Sequence, residues 1–362
     1  MLDIARGTVR AYYLFDVADT IDLAKASAVG GDVRAPAALP LRPHAQPYLQ
    51  FPDPPLVAAL DEARFGELRA DVRLKLYDYG VISMRLSFAA EGSWNGLTSV
   101  VERARSDERM LAFAHSAVER ICDEYAHALD DRHPPLIEDY LIVEIDRFEE
   151  ALDAETLLGE HGAALAHLLL GERKRISAGE TEEALRMRFS YHDDDLTIVQ
   201  WDTAFVYDRR ESARTIEDIL EFANSQLLEL RTYDALLDRE LDAIYKMQPG
   251  GPRRSLNGRR EEEQAASLRY LLVDVLELMD RSSNALKVVG DAFYARIYRA
   301  AAARLGLTDW QRQIDSKLAS VRETYRFFSD QARSRRDEFL EITIVALVAI
   351  EVVIGILTLL HL

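Results

Sequence analysis

The spacing of apolar residues divides the chain into a mixed first half and a helical second half. Between residues 8 and 208, short runs of β-branched and aromatic residues alternate with amphipathic stretches, as in "TVRAYYLF" followed by "DVADTIDLAKASAV". The first kind of run predicts a strand, and Asp or Thr at the start of the second predicts the N-terminus of a helix. The first 210 residues are therefore expected to form an α/β domain.

The predicted elements of this domain occur twice in the same order. A strand, a helix, a hairpin and a long helix are predicted over residues 8–130 and again over 137–246. The hairpins contain the related stretches "VRLKLYDYGVISMRLSF" and "LRMRFSYHDDDLTIVQW". We therefore expect an α+β fold in which a duplicated β-α-β-β-α unit forms one mixed domain, its last helix continuing to residue 246.

Beyond residue 208 the apolar residues recur at spacings of three and four. This heptad seam covers 216–244 and recurs over 314–328, so a coiled-coil-like helical hairpin is predicted over 262–338. A linker rich in Pro and Gly, 247–261, precedes it. Because an unpaired seam would expose an apolar stripe to water, self-association is expected, and pairing within one chain is the alternative.

Asp234 interrupts the first seam. Buried polar residues in coiled coils fix the register of the helices, so this carboxylate is a candidate partner for an arginine of another helix. An edge position with access to solvent is the alternative.

The segment 339–362, "FLEITIVALVAIEVVIGILTLLHL", is almost entirely apolar. From Ile342 to Leu360 the run is long enough to cross a hydrocarbon layer roughly 30 Å thick at about 1.5 Å per helical residue. A C-terminal transmembrane helix is therefore predicted. Ile350 and Glu351 lie near its middle, where a carboxylate is expected to be protonated or to face another helix.

Charges on the two sides of this segment predict its orientation. Arg333, Arg335 and Arg336 precede it, and only His361 and Leu362 follow it. Positive charge stays on the cytoplasmic side of a membrane. The sequence therefore predicts a single-pass, tail-anchored protein of the inner (cytoplasmic) membrane, with the bulk of the chain in the cytoplasm.

Composition narrows the classes of partner. The 362-residue chain has a net charge of −18 at pH 7, whereas a nucleic-acid surface needs clustered Lys and Arg. DNA is therefore not an expected partner. Cys122 is the only cysteine, which excludes a disulfide framework and a cysteine-based zinc site and fits a reducing compartment.

A local basic cluster lies in the predicted linker, at Arg253, Arg254, Arg259 and Arg260. These side chains are candidates for contact with anionic lipid headgroups or ribosomal RNA. A solvated loop is the alternative.

Candidate chemistry is sparse. His192 to Asp195 offers imidazole and carboxylate groups that could bind a metal, but Asp at a hairpin tip is also an ordinary turn residue, which we favour. The sequence has no P-loop, no Gly-x-Ser-x-Gly elbow and no His-Glu-x-x-His motif. No cofactor is expected.

The end of the chain and the first hairpin resemble a known family. In "RRDEFLEITIVALVAIEVV" the matching residues are Arg336, Phe339, Leu340, Glu341, Ile350, Glu351 and Val352. The stretch "YDYGVISM", 77–84, is similar to a "DYG" hairpin of the same family. These features resemble the family named for being required for meiotic nuclear division.

The resemblance implies a membrane protein whose shared domain has no assigned activity. Mitochondrial members support organelle translation at the inner membrane, so the resemblance alone makes the ribosome a candidate contact. The chain lacks their long N-terminal extension and has Ile342 where they tend to have tryptophan. The family supplies no catalytic residues to carry over.

The expected function is that of a non-enzymatic, tail-anchored scaffold that tethers a protein partner to the membrane. The alternative is an enzyme or small-ligand-binding domain that uses a cleft between the two α/β repeats, for a nucleotide or metabolite.

Overall fold

A computed structural model describes residues 2–28, 41–44, 49, 51, 53–208, 212–246, 273 and 289–360. The chain divides into two compact units. The first consists of Met1–Thr232 and Ser282–Trp310, and the second of Tyr233–Arg281 and Gln311–Leu362.

Eleven strands are present among the described residues. They are β1 (Asp3–Asp16), β2 (Thr20–Ile21), β3 (Arg42–Pro43), β4 (Leu56–Phe65), β5 (Leu68–Leu76), β6 (Val81–Ser93), β7 (Leu129–Asp130), β8 (Leu136–Phe148), β9 (Arg188–Phe189), β10 (Leu196–Val199) and β11 (Thr203–Tyr207). Nine of them form one mixed sheet in the order β3-β4-β5-β6-β1-β8-β11-β10-β9, and β2 pairs with β7. The predicted mixed α/β domain is thereby confirmed.

The helices differ widely in length. They are α1 (Leu23–Ala28), α2 (Trp94–Ser106), α3 (Glu108–Glu124), α4 (Ala154–Leu170), α5 (Ala178–Ala184), α6 (Ser212–Lys246), α7 (Ala292–Arg304) and α8 (Leu307–Leu360). Ser93, Asp107 and Asp153 cap the N-termini of α2, α3 and α4 by accepting a backbone N–H.

The large sheet has one apolar face and one polar face. Because successive side chains of a strand point to opposite faces, Val9, Ala11 and Phe15 of β1 join one hydrophobic core with residues of α2, α3 and α4. Arg10 and Tyr12 point to the other face. The same alternation on β5, β6 and β8 places charged residues beneath α6, as described below.

The two predicted repeats occupy matching places in this sheet but differ in strand direction. β1 pairs with β6 antiparallel, whereas β8 pairs with β11 parallel. The difference arises because α4 and α5 form a crossover that lets the chain return parallel to β8. The two halves therefore differ in the direction of their strands, although both contribute to one sheet.

The turn between β5 and β6 lies close to the end of β1. Gly80 has φ +88°, and a Cβ atom there would lie 1.7 Å from the carbonyl oxygen of Ala18. Val17 N–H donates to the carbonyl oxygen of Gly80 at 3.1 Å. This contact requires glycine because both the backbone conformation and the space exclude a side chain.

The second unit contains residues of α6 and α8 that face each other. Leu237 of α6 and Ile314, Leu318 and Val321 of α8 are buried. The two heptad seams predicted from the sequence thus supply buried apolar positions within one chain. The self-association prediction remains untested.

The predicted long hairpin over 262–338 is not evident in the described part of the chain. Residues 262–272 and 274–288 lie outside that part, and α7 belongs to the first unit. There, Tyr298 Oη donates to Gln226 Oε1 at 2.7 Å, and its ring lies 6.0 Å from that of Phe222. These contacts pair α7 with the first half of α6.

The predicted transmembrane helix corresponds to the apolar end of α8. No helix among the described residues has both the length and the apolarity that a membrane crossing needs. In the apolar segment of α8, side chains are described at 343–345, 347–352 and 354.

Candidate functional site

The apolar end of α8 exposes large side chains. Between Ile344 and Ile354, seven side chains are each 53% to 64% exposed: Ile344, Val345, Leu347, Val348, Ile350, Val352 and Ile354. Glu351 lies among them and is also exposed. At 3.6 residues per turn these positions cover about 220° of the helix circumference, which is wider than a single stripe.

Several predicted site residues fall outside what the structure describes. Arg253, Arg254, Arg259 and Arg260 lie wholly outside the described residues. Arg333, Arg335, Arg336, Ile342 and Leu360 lie on α8, but their side chains are outside the described part.

Asp234 contacts α8 rather than solvent alone. Its Oδ1 lies 2.6 Å from Nζ of Lys317 and accepts a hydrogen bond from Gln313 Nε2 at 3.0 Å. Lys317 Nζ also lies 2.6 Å from Asp238 Oδ1. The cation that contacts Asp234 is therefore a lysine of another helix, Lys317 of α8, whereas the sequence suggested an arginine.

The hairpin between β9 and β10 has the geometry of a turn. The carboxylate of Asp195 accepts the backbone N–H of Tyr191 at 2.7 Å and that of His192 at 2.9 Å. Within the described residues, no group of three or more His, Cys, Asp or Glu is placed to hold a metal ion.

A charged layer is buried between the polar face of the sheet and α6. The sheet contributes Arg10 from β1, Lys75 from β5, Arg85 from β6 and Glu144 from β8, and α6 contributes Glu217, Asp218 and Glu221. These seven residues are called the charged layer below. Buried charges are costly unless they are paired, and each of these is paired.

Arg10 is central to one half of the charged layer. It donates to Glu144 Oε2, and its Nη1 lies 2.6 Å from Glu217 Oε1, in an ion pair that lacks the alignment of a hydrogen bond. Arg85 Nη1 is 3.6 Å from Glu217 Oε2. Burial raises the pKa of Glu217 to about 8 against the opposing effect of Arg10, and the neighbouring Glu144 raises it further.

Lys75 is central to the other half. Its Nζ donates to Asp218 Oδ1 at 2.6 Å and to Glu221 Oε2, and His44 Nε2 lies 3.1 Å from Asp218 Oδ2. Burial opposes ionisation of Asp218, but Lys75 and His44 outweigh it and hold the pKa of Asp218 well below its usual range. In the same way, the two carboxylates raise the pKa of Lys75 against the effect of burial.

The sequence analysis missed the charged layer, although a signal for it exists. Arg10, Lys75 and Arg85 each lie at an alternate position of a predicted strand whose other positions are apolar. Charged residues in that pattern are usually assigned to a solvated face. This polar face is buried because α6 packs on it.

A cleft opens on the opposite side of the sheet, between α2 and α4. It has a volume of about 820 Å³. Trp94, Val101 and Leu168 provide apolar lining, and Arg105, Arg173 and Lys174 provide positive charge. Arg173 is paired with Glu102 at 2.6 Å, and Arg105 donates to Thr203 Oγ1 at 2.6 Å.

The fold and the charged layer together define the class: an α/β protein whose mixed sheet packs helices on an apolar face and one long helix on a charged face. Residues 6–213 match the family model of the N-terminal domain of the uncharacterized protein MJ0711. The chain belongs to this family.

A relative with that description comes from Methanocaldococcus jannaschii. It is 23% identical over 208 residues, which cover 58% of this chain and 63% of the relative's own length. No solved structure matches the chain. None of these comparisons confirms the resemblance to the family required for meiotic nuclear division; they show the MJ0711 family.

Proposed function

We propose that the protein is attached to a membrane by the apolar end of α8 and that its α/β unit tethers a protein partner at the cytoplasmic surface. The observation that carries this proposal is the exposure of seven large apolar side chains between Ile344 and Ile354. A groove on a partner protein would cover one stripe of a helix, whereas lipid covers all sides. The arginines at 333, 335 and 336 favour the cytoplasmic orientation.

The tethering role is supported by exposed aromatic side chains of the first unit. Tyr191 is 67% exposed and Trp201 is 57% exposed. Tyr and Trp are enriched at protein interfaces because they bury a large area at a low cost in conformational entropy. Contact with a ribosome rested only on the resemblance that the comparisons do not support, so it is not part of the proposal.

Flotation of the full chain with phospholipid vesicles tests membrane attachment. Val348 and Ile350 lie on roughly opposite sides of α8, and a lysine near the centre of a span costs about 3 kcal/mol. We expect the wild-type protein to float with the vesicles through an alkaline wash and the double variant Val348→Lys/Ile350→Lys to remain in the dense fractions.

The matched control is Leu111→Lys/Trp201→Lys, which adds the same charge at exposed apolar positions outside α8. This control should float like the wild type. If the wild type remains in the dense fractions, or if the α8 variant floats equally well, membrane attachment through α8 is rejected.

The cleft between α2 and α4 favours a second candidate function, the binding of a small anionic ligand such as a nucleotide. Its lining combines the indole of Trp94 with the cations Arg105, Arg173 and Lys174 and the acids Glu102 and Glu172, and Arg173 is already paired with Glu102. An aromatic surface beside positive charge suits a ligand with a flat ring and a phosphate.

Calorimetric titration of the full chain with AMP tests this candidate. Binding to the wild type should weaken at least about tenfold in Lys174→Glu, because a cation facing the phosphate is replaced by an anion. Lys25→Glu, a charge reversal at an exposed position of α1, is the control. Absence of binding to the wild type would remove this candidate.

A further inference from the structure

The exposed side of α7 is basic, although the chain as a whole has a net charge of −18. From Ala292 to Arg304 the helix has three arginines and no acidic residue. Residues three and four positions apart lie on the same side of a helix. The exposed residues of α7 follow this spacing: Ala292, Arg296, Arg299 and Ala303. One side of α7 therefore presents two positive charges with a small side chain at either end.

These two charges are not neutralised by the described part of the chain. Arg304, at the end of α7, pairs with Glu183 at 3.0 Å. By contrast, no ion pair joins Arg296 or Arg299 to a described residue. Like charges at this spacing on a helix repel each other. Carboxylates from another molecule would relieve the repulsion and neutralise both arginines.

Aromatic side chains lie next to the arginine pair, in the same compact unit. Cζ of Arg296 is 5.3 Å from the centroid of the Phe293 ring. The Phe293 ring is in turn 5.3 Å from the ring of Tyr191, in an edge-to-face contact. Tyr191 is nevertheless 67% exposed.

The aromatic rings and the exposed side of α7 are called the α7 surface below: Tyr191, Ala292, Phe293, Arg296, Arg299 and Ala303. Arginine and aromatic residues are the types that are enriched at protein interfaces. The composition of this surface is therefore that of a site for a protein partner.

Other anionic partners fit the α7 surface less well. A nucleic acid would approach a molecule with a net charge of −18, and two arginines displace few counterions from its phosphates. A membrane with anionic headgroups would also meet Asp193, which is exposed in the same hairpin as Tyr191. A protein segment can follow the side of α7 alone. Its carboxylates suit arginine, whose guanidinium group donates two parallel hydrogen bonds to one carboxylate.

We propose that the α7 surface binds an acidic segment of a protein partner. Carboxylates of the segment contact Arg296 and Arg299, and an apolar side chain packs against Tyr191 and Phe293. The two alanines leave room for the segment, since the side chains at a contact limit how closely another chain approaches a helix. The inference rests on the proposed tethering function and names the chemistry of the tethered partner.

Fluorescence anisotropy of the full chain in detergent tests this proposal with a labelled peptide of the repeat Glu-Glu-Phe. The wild type should bind it more tightly than a peptide of the repeat Ser-Ser-Phe. The affinity should fall at least about tenfold in Arg296→Glu/Arg299→Glu, because two attractions become repulsions. Tyr191→Ser should lower it at least about threefold, since the phenylalanines of the peptide lose an aromatic contact.

The matched control is Arg64→Glu/Arg69→Glu. These two arginines are exposed and are neighbours across the β4-β5 hairpin, but Phe65 between them is buried. The control should keep the wild-type affinity. All four arginines are exposed, so each double variant should have the thermal unfolding midpoint of the wild type.

Three results would overturn the proposal. In the first, the wild type binds the Glu-Glu-Phe peptide no better than the Ser-Ser-Phe peptide. In the second, the control variant loses as much affinity as the α7 variant. In the third, oligouridylate binds more tightly than the acidic peptide, which would identify the α7 surface as an RNA contact.

Flotation with vesicles of phosphatidylcholine and phosphatidylserine separates this proposal from membrane attachment. Arg296→Glu/Arg299→Glu should float like the wild type, and its loss from the vesicle fraction would identify the α7 surface as a lipid contact instead. A wild type that binds the acidic peptide but does not float would reject attachment through α8 and support the α7 surface.

Discussion

At the scale of single residues, burial decides which carboxyl groups are costly. Asp16 lies at the end of β1 with a side chain that is 3% exposed, and His133 Nε2 is 3.5 Å from its Oδ1. Burial raises the pKa of Asp16 to about 6, although His133 opposes the shift. The folded chain therefore retains a proton that the unfolded chain releases near pH 4, and stability falls between about pH 4 and 6.

Asp16→Asn should remove this penalty. We expect the free energy of unfolding at about pH 7.5 to rise by on the order of 1–3 kcal/mol, with little change near pH 4. Urea unfolding at both pH values measures the effect. Asp22→Asn, at an exposed aspartate that caps α1, is the control and should change little at either pH. A loss of stability in Asp16→Asn at pH 7.5 would show that the ionised form is required.

Lys75 illustrates the opposite case, a buried charge that two partners require. Lys75→Met would leave Asp218 and Glu221 in the interior without their cation. The free energy of unfolding should therefore fall by about 3–5 kcal/mol. Arg73→Met on the same strand is the matched control, since the Arg73 side chain is 60% exposed and pairs with the exposed Asp71. Its loss should cost no more than about 1 kcal/mol. If urea unfolding shows the same loss of stability for Lys75→Met and Arg73→Met, Lys75 is not a required member of the charged layer.

At the scale of elements, the turn between β5 and β6 depends on one glycine. Gly80→Ala must accommodate both a positive φ and a clash with the backbone of Ala18. We expect a loss of about 2–4 kcal/mol in the free energy of unfolding, measured with urea, because neither backbone can move without disturbing the pairing of β1 with β6.

Gly92→Ala separates these two effects. Gly92 has φ +89°, but a Cβ atom there would meet nothing within 4 Å. Only the backbone strain remains, so a loss of about 1 kcal/mol is expected. If Gly80→Ala is as stable as Gly92→Ala, the turn at Gly80 can move away from the backbone of Ala18 at little cost.

At the scale of the whole molecule, the question is whether the heptad seams pair within one chain. Asp234 and Lys317 contact each other in the second unit. A short bismaleimide should therefore link Asp234→Cys/Lys317→Cys into a monomer of altered mobility in a denaturing gel. Each single variant serves as a control for reaction at the buried Cys122. Dimers as the main product of the double variant would favour pairing between chains.

The mixed α/β character, several of the strands and the apolar face of β1 followed from the sequence alone. Alternation such as Val9, Ala11 and Phe15 predicts a strand with one buried face because side chains on a strand alternate between faces. Aspartate or threonine at the start of an amphipathic stretch predicts the N-terminus of a helix because its side chain accepts a free N–H. These signals are local, so they need no knowledge of the rest of the fold.

The direction of β11, the burial of Arg10 and Lys75 and the residues of α8 that contact Asp234 were decided only by the tertiary structure. Each depends on which distant segment packs beside the residue, and period-two alternation is the same whether the polar face meets water or α6. The sequence by itself determined which residues share a face, because covalent geometry sets that periodicity. Tertiary packing decided what covers the face, and with it which charges must be paired.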